Sequence, residues 1–234
     1  ANTEGASNVA VGSSALGGNT TASNNTAIGY NTLGACTTGT SNTAIGTIAL
    51  DAITTSSNNT ALGHEALTNA TSGAGNTALG KSTMTATVTG SNNVAVGYTA
   101  LAANTDASNN VAVGVGALEN QNFTTATTTY NVAVGPNAGF AVTTGVQNTL
   151  IGGLAGDAIT DADFNIAIGT YALTSDTLGS RSVAIGRSAL AAQNFTSATN
   201  TYNVAVGHEA GQAVTTGVQN TLIGSLAGDA ITTG

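Results

Sequence analysis

Residues 91–118 read SNNVAVGYTALAANTDASNNVAVGVGAL. The phrase SNNVAVG begins at Ser91 and begins again, unchanged, at Ser108. The Gly that closes it (Gly97, then Gly114) extends the register in both directions, to Gly12, Gly29, Gly46, Gly63 and Gly80, and to Gly135, Gly152, Gly169, Gly186, Gly207 and Gly224. Every step has the length of the one from Ser91 to Ser108, except the two that end at Gly135 and Gly207, which are longer by four. Thirteen copies fill the chain, so residues 1–234 read as a single repeat domain.

Each copy keeps the same columns. Four residues before the anchor stands Asn, as in Asn93 and Asn110, with Ser182 the one exception. Three before and one before are β-branched or aliphatic residues, as in Val94 with Val96 and Val111 with Val113. Between them is Ala, replaced only by Leu150 and Leu222. Ala or Thr follows the anchor by three residues, and Leu or Met by four in nine copies. The other four carry Gly139, Gly156, Gly211 and Gly228 there, each followed three residues later by Val142, Ile159, Val214 or Ile231. A nearby aliphatic residue is thus expected to refill a core column, since an empty place of that size costs ~2–5 kcal/mol. Residues 121–160 recur almost letter for letter at 193–232, a duplicated block of four copies.

The alternation around each Gly is that of a short strand with two apolar faces. One such strand cannot bury itself, but identical strands stacked in register can. The expectation is an all-β parallel β-solenoid of about 13 coils with a 17-residue period, rising ~4.8 Å per coil, or about 60 Å in all. Asn repeated on successive coils suits a side-chain amide ladder. The competing shape, an α-helical solenoid, is disfavoured, because so short a repeat rich in Gly, Thr and Asn does not hold two helices.

The recurring N-[TV]-A-[IV]-G phrase, with Ala three residues after its Gly, resembles the head repeats of YadA-like trimeric autotransporter adhesins and related repeats of phage tail-fibre proteins. The resemblance runs from Asn8 to Gly228. It implies a left-handed β-roll in which three chains associate side by side, located extracellularly on a cell surface or virion. The step here is longer than that of the adhesin heads. A trimer also has a physical argument: a strand with two apolar faces fills the interior with one and leaves the other as an exposed stripe, which marks an interface. Three chains of net charge −8 would carry −24, which favours solubility.

Composition narrows the partners. Only 3 residues are basic against 11 acidic, so Lys81, Arg181 and Arg187 cannot make a nucleic-acid footprint. No apolar run approaches the ~20 residues that span a bilayer. Cys36 is alone, which forbids an internal disulfide.

Little suggests chemistry. His64 and His208 follow their anchor Gly in a column that also holds Tyr30, Lys81, Pro136 and Arg187, a mixture typical of a solvent-facing position. The HEA phrase lacks the second His of a zinc motif. Asp157, Asp161 and Asp163 are close in sequence, but their spacing matches no calcium loop. The glycines belong to the period and form no phosphate loop. No cofactor, metal or enzymatic activity is expected. The two four-residue insertions, within 119–131 and 191–203, stand out instead. Each carries an aromatic pair, Phe123 with Tyr130 and Phe195 with Tyr202. Aromatic side chains on a projecting polar loop suit sugar stacking or protein contact; the competing reading is that the Phe tucks back to close the longer coil.

The leading functional expectation is a non-enzymatic fibre segment, of adhesin-head or tail-fibre type, that presents a rigid surface to a receptor or glycan. A self-assembling filament subunit stacking end to end is the alternative. An ice-binding array is a minor one, because the Thr rank (Thr26, Thr43, Thr60, Thr77, Thr149, Thr221) is broken by Val and Ile.

Overall fold

A computed structural model describes residues 3–233. The protein is a parallel β-solenoid, without helices among the described residues, in two compact units. The first runs to Asn110 and includes Asn122–Thr128; the second comprises Val111–Gln121 and the chain from Thr129 onward. The first holds β1 (Val9–Val11), β2 (Thr26–Ile28), β3 (Thr43–Ile45), β4 (Thr60–Leu62), β5 (Thr77–Leu79), β6 (Val94–Val96) and the two-residue β7 (Ala107–Ser108). The second begins with β8 (Val111–Val113). Strand β9 (Thr127–Thr128) belongs to the first unit and pairs in parallel with β7. The second continues with β10 (Val132–Val134), β11 (Thr149–Ile151), β12 (Ile166–Ile168), β13 (Gly179–Ser180), β14 (Val183–Ile185), β15 (Thr199–Asn200), β16 (Val204–Val206) and β17 (Thr221–Ile223).

In each unit the three-residue strands stack one per coil, six in the first and seven in the second. The register is set by the repeat: Ala27 pairs with Ala44, Ala44 with Ala61, and Thr26, Thr43, Thr60 and Thr77 stand in one line. The anchor glycines explain why the stack closes so tightly. Gly63 has φ 142°, a region open to Gly alone. A Cβ there would lie 2.3 Å from the carbonyl oxygen of Gly80 on the next coil.

The sequence leaves open which strand face points inward; the structure puts Ala and Asn there. Ala27, Ala44, Ala61, Ala78 and Ala95 are fully buried, as are Asn25, Asn42, Asn59, Asn76 and Asn93. The Leu column fills the middle, with Leu33, Leu50, Leu67, Met84, Leu101, Leu118, Leu173 and Leu190 fully buried. So short a coil encloses room for one large side chain and small ones opposite. The β-branched and aliphatic residues therefore face out.

The buried Asn residues are satisfied in one repeating pattern. The backbone N–H of Asn76 donates to Asn59 Oδ1, and that of Asn93 to Asn76 Oδ1, both at 3.0 Å. Asn76 Nδ2 donates to the Gly90 carbonyl at 2.8 Å. The expected amide ladder is thus mainly a side-chain-to-backbone ladder. Direct amide-to-amide bonds add to it at some rungs, as from Asn110 Nδ2 to Asn93 Oδ1 at 3.0 Å. At the exception, Ser182 N–H keeps the rung to Asn165 Oδ1 at 2.9 Å. Gln193, fully buried, donates from Nε2 to Ser182 Oγ at 2.8 Å and accepts from Asn203 Nδ2 at 2.8 Å. Turns are bonded coil to coil as well, as from Leu50 N–H to the Ala66 carbonyl at 3.1 Å. This is how the buried Asn column keeps its polar groups paired.

The Gly exceptions in the Leu column are filled from two sides. Val142, Ile159 and Val214 are fully buried, as expected; Ile231 stays 36 % exposed. Leu150 contributes too: a Cβ on Gly139 or on Gly156 would meet its side chain at 2.7 and 2.8 Å. Leu222 stands in the same relation to Gly211 and Gly228. One Leu in the Ala column thus occupies space vacated on its own coil and on the coil before it.

Candidate functional site

The groups first considered for chemistry stay apart. His64 and His208 are exposed and lie beside Glu65 (3.5 Å) and Glu209 (3.6 Å). Arg187 pairs with Glu209 at 2.8 Å. Asp157 accepts from Thr174 at 2.5 Å, Asp161 from Thr144, and Asp163 from the Val146 N–H at 2.8 Å. Each acid is thus tied to a different coil neighbour, and no group of three His, Cys, Asp or Glu is placed to hold a metal among the described residues. Cys36 is buried, and burial pushes its thiol above the ordinary value. A shallow depression of roughly 300 Å³ in the first unit is lined by Glu65, Thr68, Asn69, Ser82 and Thr85. Polar atoms there bond to one another, Ser82 Oγ to Glu65 at 3.2 Å and Asn69 Nδ2 to the Thr85 carbonyl at 2.7 Å.

The insertions divide their aromatics. Their tips, residues 124–126 and 196–198, are exposed. Phe195 is only 8 % exposed and Phe123 half-buried, so the Phe residues sit at the base of their loops. Phe195 N–H donates to Asp176 Oδ1 at 3.0 Å, and Gln193 Nε2 to Asp176 Oδ2 at 2.5 Å. Asp176 is a fully buried carboxylate that pins the second insertion. Tyr130 and Tyr202, by contrast, stand out at 59 % and 52 % exposure.

These two Tyr residues belong to a column that the insertions obscure. Five residues before each anchor, the second unit presents Tyr130, Gln147, Phe164, Arg181, Tyr202 and Gln219 on successive coils. All six are exposed. All six have left-handed backbones, with φ between 53° and 67°. The register is held from below: the N–H groups of Gln147, Phe164 and Arg181 donate to the carbonyls of Thr129, Val146 and Asp163 at 2.7–3.0 Å. The Arg181 guanidinium lies 4.7 Å from the Phe164 ring centroid and donates from Nε to Asn200 Oδ1 at 2.9 Å. In the first unit the same column holds Ser7, Asn24, Ser41, Asn58, Gly75, Asn92 and Asn109. Sequence reasoning singled out Tyr130 and Tyr202 but missed Phe164, Arg181 and the Gln residues. Their common offset from the anchor Gly was the available signal.

The second surface feature is the outward strand face. Its two columns, such as Val94 with Val96 in the first unit and Ile166 with Ile168 in the second, contain no charged residue in any coil. Many members are exposed, among them Ile28, Leu62, Leu79, Val94, Ile151 and Ile166. Comparison with protein-family models, with curated proteins and with solved structures finds no match to this chain.

Proposed function

We propose that this protein is a non-enzymatic segment of an extracellular attachment fibre, of adhesin-head or tail-fibre type. It works as a side-by-side homotrimer of left-handed coils that offers its surface to a receptor or glycan. The observation that carries this reading is the outward strand face: in each unit it is a sheet of Val, Ile, Leu and Thr, free of charge and half-buried to exposed. A contiguous apolar face of this kind is characteristic of an interface. The partner that matches it is a second copy, because its period equals its own. The interior supports the reading as well: the Asn ladder and the Leu column fill it within each unit, so that association is left to the outer face.

Light scattering tests the assembly. The expected mass is three times the 22.5 kDa of the chain; a monomer overturns the trimer. Retention on immobilised cell-surface proteins and glycans tests attachment. A trimer indifferent to all of them is a spacer, not an attachment segment.

A further inference from the structure

We infer that the exposed column of the second unit is a binding ladder for a neutral, linear polysaccharide lying along the stack of coils. The inference deepens the attachment reading and rests on it.

The first ground is that folding does not ask for these residues. The position is left-handed in both units, where Asn and Gly are tolerated best and bulky side chains worst. The first unit obeys that preference with Ser, Asn and Gly. The second unit uses Tyr, Gln, Phe, Arg, Tyr and Gln on the same backbone, against the local preference. Three of the nine aromatic residues of the chain fall in this one column, on alternate coils.

The second ground is chemical. Aromatic rings alternate with side chains that hydrogen-bond: two primary amides and a guanidinium. Tyr hydroxyls add groups that both donate and accept. Sugars present both kinds of surface, apolar C–H faces and hydroxyl edges, and aromatic side chains with a polar tip match them. Arg181 covers one face of Phe164, so these two form a combined plate, while Tyr130 and Tyr202 project on either side of it.

The third ground is spacing. Successive rungs are ~4.8 Å apart and successive rings ~10 Å. A pyranose linked through opposite ring positions advances its chain by nearly one rung, so a ring meets every second sugar. An extended peptide rises ~3.3 Å per residue and ~6.7 Å between side chains on one face, and falls out of step within a few rungs. The net charge of −8 disfavours a polyanionic chain.

Isothermal titration of the whole protein with cellohexaose, chitohexaose, mannohexaose and hexagalacturonate tests this. A ten-residue Ser/Thr peptide serves as the extended-peptide arm. At least one neutral hexasaccharide is expected to bind, at least ~10-fold tighter than its disaccharide, because several rungs engage together. The triple variant Tyr130→Ser, Phe164→Ser, Tyr202→Ser copies the first unit's column and keeps the circular dichroism of the parent. It is expected to lose at least ~10-fold in affinity, since aromatic anchors dominate such contacts. Failure of all three neutral hexasaccharides to bind overturns the inference, and so does undiminished binding by the triple variant. Binding of hexagalacturonate alone, or of the peptide in place of the sugars, overturns the assigned ligand class. A trimer that binds no sugar sinks the ladder and leaves the fibre standing; a monomer that binds sugar does the reverse.

Discussion

At the residue scale, the cost of this fold lies in the backbone. Each coil turns through left-handed residues, many of them not Gly: Ile48 at φ 50°, Leu50 at 51°, Asn58 at 63°. A β-branched residue is the least suited to this region, at about 1–3 kcal/mol. Asn occupies the Ile48 column at Asn31 and Asn137. Ile48→Asn is expected to raise stability by about 1 kcal/mol, less the lost burial of a half-buried side chain, as read from urea unfolding midpoints. Asp51 is a second local cost. Its Oδ1 is buried without a hydrogen-bond partner, and Asn31 Nδ2 donates to its Oδ2 at 3.5 Å. Burial pushes the carboxyl above the ordinary aspartate range, against the opposing pull of its own and Ala52's backbone N–H groups. The folded state thus holds the proton more tightly than the unfolded one. The contribution of Asp51 to stability is greatest below the ordinary value of 3.8 and is lost as pH rises through the raised folded value. Asp51→Asn is expected to be more stable than the parent at pH 7, with the difference closing below pH 3.8. Equal stability of the two at pH 7 would contradict this. Neither position is marked in the sequence, because a left-handed Ile and a half-satisfied Asp look like any others until the turn is built.

At the scale of the coil, small and large residues are chosen together. Leu150 is fully buried and touches the space over Gly139 and Gly156. Leu150→Ala is expected to cost ~2–5 kcal/mol by leaving a cavity. Restoring the common pattern by adding Gly139→Leu with Val142→Ala and Gly156→Leu with Ile159→Ala, the spacing of Leu67 and Ala70, is expected to recover most of that loss, because Leu occupies this left-handed position in other coils, Leu173 at φ 54° among them. Thermal unfolding of the five-residue variant checks it; no recovery would contradict this exchange of Leu between the two columns. Here the sequence was half legible. The Gly substitutions and the aliphatic residues after them were readable as a refilled column. The two Leu residues in the Ala column were visible too, but their link to the Gly pairs needs the knowledge that Ala faces inward. Both strand faces are apolar, and only the narrowness of the coil decides between them.

At the scale of the whole molecule, the period was fully legible: thirteen anchors, two longer steps and the parallel register all follow from one Gly column. The candidate site was only partly so. The insertions drew attention to Phe123 and Phe195, whose place at the loop base serves the coil. The exposed rungs Phe164 and Arg181 lie in coils without insertions, and only their shared offset from the anchor Gly marks them. The apolar outer face carries the prediction that belongs to this scale. Leu62→Glu with Leu79→Glu puts two charges on adjacent strands of that face, where both side chains are exposed. The coils are expected to fold as before by circular dichroism, while light scattering shows the mass falling to that of one chain. An unchanged assembly would place the interface elsewhere.

The five tyrosines also decide what can be seen in a cuvette. All are exposed, Tyr171 the least at 42 %, and there is no Trp to outshine them. Their emission already comes from a watery setting, so it should stay nearly flat while the coils melt. Two of the five, Tyr130 and Tyr202, stand on the rungs of the proposed sugar ladder, so an oligosaccharide bound there is expected to alter the same signal. Tyrosine fluorescence is therefore a poor thermometer for this protein and a built-in optical gauge of occupancy.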